Sequence, residues 1–280
     1  MNHTAAFNYA FPPYVERLPC AKSAWPDVTS VLDSSRRIVQ ENRTGIELEL
    51  RFGHKTVQGF EPGVSQAAFQ ALETRFDTGR DWARVDDWVN VHTYMHPDAS
   101  GHKELRTEIV YDLAVSATPT TIQKQKMVTH DYCITSLAAT TPGASSIDMR
   151  LAVAHEIPIT DADVPAMTMP TAVHIKERKC FYYAPTGYDT PVWCYMLTKR
   201  WTGATMAAVL ATRHAGKAPV YEIELECVYP PYLLSKEPGQ IAMKLLYKAC
   251  DMLELIEPTL RDRASFLIEP STTNMLWVRK

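Results

Sequence analysis

The 280-residue chain has six cysteines, Cys20, Cys133, Cys180, Cys194, Cys227 and Cys250, and no C-x-x-C pair among them. Neither a thiolate zinc site nor a disulfide framework is indicated, and a reducing, intracellular compartment is expected. No apolar run approaches the ~20 residues of a membrane helix, so no membrane partner is expected. The first residues, with Asn2, His3 and Thr4, lack the basic region and apolar stretch of a signal peptide. Charge of one sign is also missing. At a net charge of -3 there is no overall field for nucleic acid, so any polyanion must be held by a local basic set. No H-C-x-x-x-x-x-R segment is present to supply a phosphatase thiol nucleophile, and neither an internal repeat nor a convincing linker divides the chain.

What is present is a pair of acidic strands, IELELRFG (Ile46 to Gly53) and YEIELEC (Tyr221 to Cys227). Successive side chains of a strand point to opposite faces. Glu47 and Glu49 therefore share one face, as do Glu222, Glu224 and Glu226, while Ile46, Leu48 and Leu50, and Ile223 and Leu225, occupy the other. One such strand is ordinary for a half-exposed sheet. Two rows of like charge repel unless something cationic lies between them, and a metal ion with oxygen ligands is the usual answer.

Other segments repeat the alternation with other charges. VHIKERK places His174, Lys176 and Arg178 opposite Val173 and Ile175, and ELRTEIVYD places Glu104, Arg106 and Glu108 opposite Leu105, Thr107 and Ile109. TIQKQKM aligns Lys124 and Lys126; IDMRLAVAHEI aligns Asp148, Arg150 and Glu156 through two alanines; WCYMLTKRW adds Thr198 and Arg200. Individually these read as solvated lysines or cross-strand ion pairs. Together they predict a sheet closed with its charges inward, a barrel whose lumen is wet and whose apolar outside is covered by helices.

The first twenty-six residues, rich in Pro and aromatics, read as an extended arm, and residues 27–280 as a single domain. Asp27 is expected to cap a helix with Val28, Val31, Leu32 and Val39 on its apolar stripe. Ser65 is expected to cap a second helix, with Ala68, Phe69 and Leu72 inward, and a third spans Gly239 to Leu255. Pro and Gly clusters at Pro97 to Gly101, Thr140 to Ser145, Asp161 to Pro170 and Ala184 to Pro191 separate the strands, as in an antiparallel meander.

IELELRFG, FEPGV (Phe60 to Val64), HIKERK and YEIELE, in this order, resemble the metal-dependent RNA 5′-triphosphatases of fungal, protozoan and viral mRNA capping, members of the triphosphate tunnel metalloenzyme family. The similarity runs from about residue 40 to residue 260. It implies an α+β fold, an antiparallel eight-stranded tunnel barrel with a charged lumen, that releases the γ-phosphate from a 5′-triphosphate RNA end. It implies Mn2+ or Mg2+ as cofactor, held directly by Glu47, Glu49 and Glu226, with Glu222 and Glu224 orienting the ions. Lys176 and Arg178 would hold phosphate, with Arg106 and Lys124 or Lys126 as further clamps, and Glu156 would position the attacking water. A capping guanylyltransferase is implied as a partner, although no docking peptide for one is evident in the arm, and a nuclear location, or a cytoplasmic factory or virion for a viral chain. Two positions depart from the family: His174 stands for an arginine and Met196 for an acidic residue. Inorganic tripolyphosphate or nucleoside triphosphates as substrates, and a non-catalytic polyphosphate-binding module, remain alternatives.

Overall fold

The computed structural model describes residues 18–41, 44–96, 104–112, 115–116, 119–137, 147–159, 169–257, 260 and 262–271. Eleven strands follow one another as β1 (Ile46–Thr56), β2 (Gly59–Pro62), β3 (Arg84–His96), β4 (Glu104–Asp112), β5 (Val115–Ser116), β6 (Thr120–Ser136), β7 (Asp148–Ile159), β8 (Ala172–Tyr183), β9 (Trp193–Gly203), β10 (Val220–Cys227) and β11 (Phe266–Pro270). The helices are α1 (Trp25–Gln40), α2 (Gln66–Thr78), α3 (Met206–His214) and α4 (Pro238–Ile256). The ladders run β6-β7-β1-β10-β9-β8-β3-β4, all antiparallel, and β4 pairs back onto β6, so eight strands close a barrel. Closure at this strand number leaves an interior just wide enough for side chains or one small ligand.

The hydrophobic core lies outside the barrel. Leu48, Leu50 and Phe52 of β1, Met149, Leu151 and Val153 of β7, and Ile223 and Leu225 of β10 pack in one cluster with Val28, Val31 and Leu32 of α1, Phe69 and Leu72 of α2, and Leu245, Leu246 and Leu253 of α4. Each such side chain contributes roughly 1.5–3 kcal/mol when fully buried. That outward burial fixes the register, because a one-residue slip would turn the glutamates into the core. A second cluster, Val173, Ile175 and Val209, seats α3 on β8. Ile109 of β4, expected to face outward under cover, is half-buried and belongs to neither cluster.

The expected helices are present, with one change at a terminus. Ser65 caps α2, its Oγ accepting from the Ala68 N–H at 3.2 Å. Asp27 is not a cap: α1 starts two residues earlier, with Pro26 in its first turn. The Asp27 carboxylate instead accepts from the Tyr132 hydroxyl at 2.7 Å and meets His130 Nδ1 at 2.8 Å, which ties α1 to β6. Residues 18–26, read as the end of an extended arm, form a short 3-10 turn (Pro19–Ala21) and the start of α1, with Leu18, Cys20 and Trp25 buried. The rest of the arm, residues 1–17, lies outside the described residues, as do the clusters at 97–101, 140–145 and most of 161–170.

FEPGV gains a structural reason. Its Phe60, Glu61 and Pro62 form most of β2, which folds back on the end of β1. Gly63 then reaches Phe52 O at 3.1 Å at φ 142°, a backbone angle that side chains disfavour, and Val64 bridges to Tyr221. The hairpin thus closes beside both acidic strands.

Candidate active site

Inside the barrel lies a cavity of about 380 Å3, lined from β1 and β10 by Glu47, Arg51, Glu222, Glu224 and Glu226, and from β4 and β8 by Arg106, Glu108, His174, Lys176 and Arg178. The alternation of each strand aims these side chains inward. Glu49 faces Glu226 across the β1–β10 ladder, and Arg51 faces Glu224.

On the acidic wall, two cations answer most of the carboxylates. Arg51 donates to Glu49 at 2.7 Å and pairs with Glu224 at 2.9 Å. Lys124 pairs closely with Glu47 and lies 3.7 Å from both Glu49 and Glu156. Burial disfavours the Lys124 charge, but Glu49 and Glu47 outweigh it and raise its pKa. Burial likewise opposes the Glu224 charge, yet Arg51, Arg178 and Lys176 hold its carboxyl down to about 2. For Glu226 the balance goes the other way, although Arg178 acts to lower it. Burial, then Glu47, Glu224 and Glu49, push it up to about 8.

The basic wall is less evenly paired. Arg106 donates to Glu156 at 2.6 Å and stands 3.7 Å from Glu108. Lys176 lies 3.4 Å from the same Glu108 oxygen, and burial followed by the charge of Arg178 lowers its pKa to about 8. Glu108 is depressed to about 2, because Lys176 and Arg106 overcome its burial. The guanidinium of Arg178 forms no ion pair among the described residues, and its Nε is buried without a partner. Thr198, directly across the ladder from Arg178, has a buried hydroxyl without a partner as well. Buried cations and hydroxyls are normally satisfied, and an anion placed here would supply the missing acceptors.

Of the residues singled out in the sequence, Glu47, Glu156, Arg106, Lys176, Arg178, Glu222, Glu224 and Glu226 line this cavity, and Glu49 and Lys124 are buried beside it. Glu222 is engaged by Arg200 at 2.8 Å, and Gly45 accepts the Glu156 N–H at 2.7 Å. Lys126 is not part of the lining: it is exposed, immediately before a bulge in the β6–β7 ladder. Asp148 and Arg150 also lie outside it, at the start of β7, where Arg150 pairs with Asp131 at 2.6 Å and Asp148 accepts the Lys55 N–H. The two inward positions between them and Glu156, Ala152 and Ala154, carry no charge. The Glu104 side chain lies outside the described residues. Arg51 and Thr93 were not singled out, and Glu108 was placed on the charged face of its strand without a role in the site. Arg51 and Glu108 share the alternation of their strands and were legible by it, whereas Thr93 belongs to β3, whose polar, irregular sequence gives no clean period of two.

The acidic wall fits a hard divalent cation in donor type, since all its ligands are carboxylate oxygens and the Glu226 carboxyl is pushed up by burial and by its neighbouring glutamates. Arg51 and Lys124 fill the space between the glutamates, and among the described residues no group of three or more His, Cys, Asp or Glu stands ready to hold a metal. A cation bound by Glu47, Glu49 and Glu226 would require these two side chains to draw back.

No protein family and no curated protein matches the chain by sequence. Among solved structures it is similar to the Pct1 RNA triphosphatase of S. pombe, with a TM-score of 0.53 and 11% identity over 82% of this chain and 93% of that one. The triphosphatase of the Mimivirus capping enzyme aligns at a TM-score of 0.48 and 10% identity, covering 85% and 97% of the two chains. The class that emerges is one of fold: a closed antiparallel barrel similar to that of the Pct1 RNA triphosphatase.

Proposed function

We propose that the chain is a metal-dependent phosphohydrolase that removes the γ-phosphate from a 5′-triphosphate RNA end and leaves a 5′-diphosphate. The observation that carries this reading is the buried Arg178 beside Lys176, its Nε without a partner, in the same cavity as Glu226, whose carboxyl burial and the neighbouring glutamates push up. One group wants an anion and the other a cation, and a metal-bound triphosphate is both. RNA is favoured as the carrier by the fold it shares with Pct1.

Catalysis of phosphoryl transfer is mostly positioning and charge neutralisation. Arg178, with Thr198 across the ladder, would hold oxygens of the transferred phosphate, and the planar guanidinium suits a bidentate grip. Lys176 and Arg106 would offset charge that moves to the leaving diphosphate. Glu156, oriented by Arg106, would align the water that forms the new bond to phosphorus as the bridging bond breaks. A bound Mn2+ or Mg2+ would add Lewis-acid polarisation of the phosphoryl oxygens. Glu47, Glu49 and Glu226 would hold it, while Lys124 and Arg51, displaced from them, are free to turn toward phosphate.

The test is release of γ-phosphate from triphosphate-ended RNA, ATP and tripolyphosphate, each with Mn2+ and with Mg2+. Metal-dependent release from RNA that is lost in Glu49→Ala is expected. Retained release in that variant would refute the assignment, and hydrolysis of tripolyphosphate alone would move the substrate away from RNA.

A further inference from the structure

Beyond Arg178 the inward face of the barrel changes from charged groups to sulfur. Cys180 of β8 and Cys194 and Met196 of β9 form a buried cluster of their own, with half-buried Tyr182 against it. Met196 stands directly across the ladder from Cys180, and Cys194 lies one inward position further along, across from Tyr182. Met196 also lines the cavity, so the cluster adjoins it. Cys180 and Cys194 are thus diagonal neighbours on the inward face, packed in the same buried cluster. None of the three side chains is used by the phosphate and carboxylate chemistry above.

We propose that Cys180, Cys194 and Met196 form a binding site for a soft, thiophilic metal ion, Cu(I), at this end of the lumen. Two thiolates and a thioether prefer Cu(I) to the hard ions that carboxylates select. A disulfide is the rival fate of two neighbouring thiols, and the ladder geometry decides against it. Diagonal neighbours across a ladder have Cα atoms about 7–8 Å apart, whereas a relaxed disulfide spans roughly 4.4–6.8 Å. A metal needs no such approach: with metal–sulfur bonds of about 2.3 Å, two ligand sulfurs stay roughly 3.8–4.0 Å apart. The other buried thiol pair of the chain is Cys20 with Cys250, 3.6 Å apart and remote in sequence from β8 and β9.

Loading one Cu(I) would release two thiol protons and leave a single negative charge on the bis-thiolate complex. Arg178 precedes Cys180 by two residues on the same inward face of β8, next to where that charge would form. Cys194 faces Glu226 across the β9–β10 ladder, so a soft site and the acidic wall would meet there. The inference stands apart from the hydrolase reading and survives its failure.

The experiment is anaerobic transfer of Cu(I) from its bicinchoninate complex to the full chain, followed by loss of the chelate colour. Wild type is expected to take up one equivalent more than Cys180→Ser/Cys194→Ser. Met196→Leu is expected to keep that equivalent and to surrender it at a lower chelator concentration. Equal uptake by wild type and the double variant would overturn the site. Should the double change unfold the protein, Cys180→Ala alone decides, measured against Cys20→Ala in the other thiol pair: loss of the equivalent in the first only supports the site, and loss in the second only overturns it.

Discussion

Arg178→Ala is the most informative single change. The guanidinium is buried in the lumen, its Nε has no partner, and the carboxylates that act on it are Glu224, Glu108 and Glu226, the first two already served by other cations. A charge in that position costs several kcal/mol of desolvation that incomplete pairing does not fully return. Its removal is therefore expected to leave thermal stability unchanged or raised, where breaking a true buried ion pair would cost about 3–5 kcal/mol. Catalysis should respond in the opposite sense. A donor aimed at developing charge is worth about 2.7–4 kcal/mol, so γ-phosphate release is expected to fall by roughly 10²- to 10³-fold in kcat. Arg178→Lys should remain impaired, because an ammonium cannot reproduce the two-point grip. The assays are a thermal melt and a single-substrate phosphate-release assay on the same preparations. A destabilised Arg178→Ala protein with full turnover would show that the residue is a structural ion-pair partner, and the anion-site reasoning would fail.

Other consequences can be checked alongside. Mn2+ is expected to raise the melting temperature of the wild type, by about 2.7 kcal/mol in stability at a hundredfold excess over Kd. Glu226→Gln should abolish that gain without unfolding the apo protein, and an equal Mn2+ shift in the variant would remove Glu226 from the metal set. Lys176, with its pKa lowered to about 8, loses its proton as pH rises through that value, so affinity for tripolyphosphate should weaken above about pH 8. Lys176→Arg should flatten the profile, and an unchanged profile would place the titration elsewhere. Glu108, depressed to about 2 from an ordinary carboxyl value of 4.5, contributes stability that is fully present above about 4.5 and is lost as pH falls toward 2. Glu108→Gln should accordingly narrow the stability gap between pH 6 and pH 3, and a variant with the wild-type acid profile would contradict the pairing. Leu225→Ala, in the core outside the barrel, is expected to cost about 2–5 kcal/mol in urea unfolding.

The charged lumen was legible because its strands keep a strict period of two. In Glu47, Glu49 and Arg51, or Glu222, Glu224 and Glu226, every second position is ionised and every other one apolar, so face and burial follow together. Periodicity gives no account of where a strand stops contributing. Asp148 and Arg150 obey the same alternation as Glu156 yet lie beyond the cavity, and Lys126 is carried away from it beside a bulge. β3 was missed because Asp86, Asp87, Asn90 and His92 interrupt any apolar row, and a register shift between Asp86 and Val89 breaks its phase. Asp27 had the residue type and position of a cap, but Pro26 extended the helix past it and left its carboxylate to Tyr132 and His130.

The central claim is that one cavity holds a cation on its glutamates and a triphosphate on its basic wall. Crystals grown with Mn2+ and tripolyphosphate, measured at the manganese absorption edge, test it directly. The account predicts an anomalous peak bounded by Glu47, Glu49 and Glu226, with Lys124 withdrawn from Glu47, and phosphate density on Arg106, Lys176 and Arg178. Manganese bound elsewhere, or a lumen in which Lys124 still pairs with Glu47 and no phosphate touches Arg178, would contradict it.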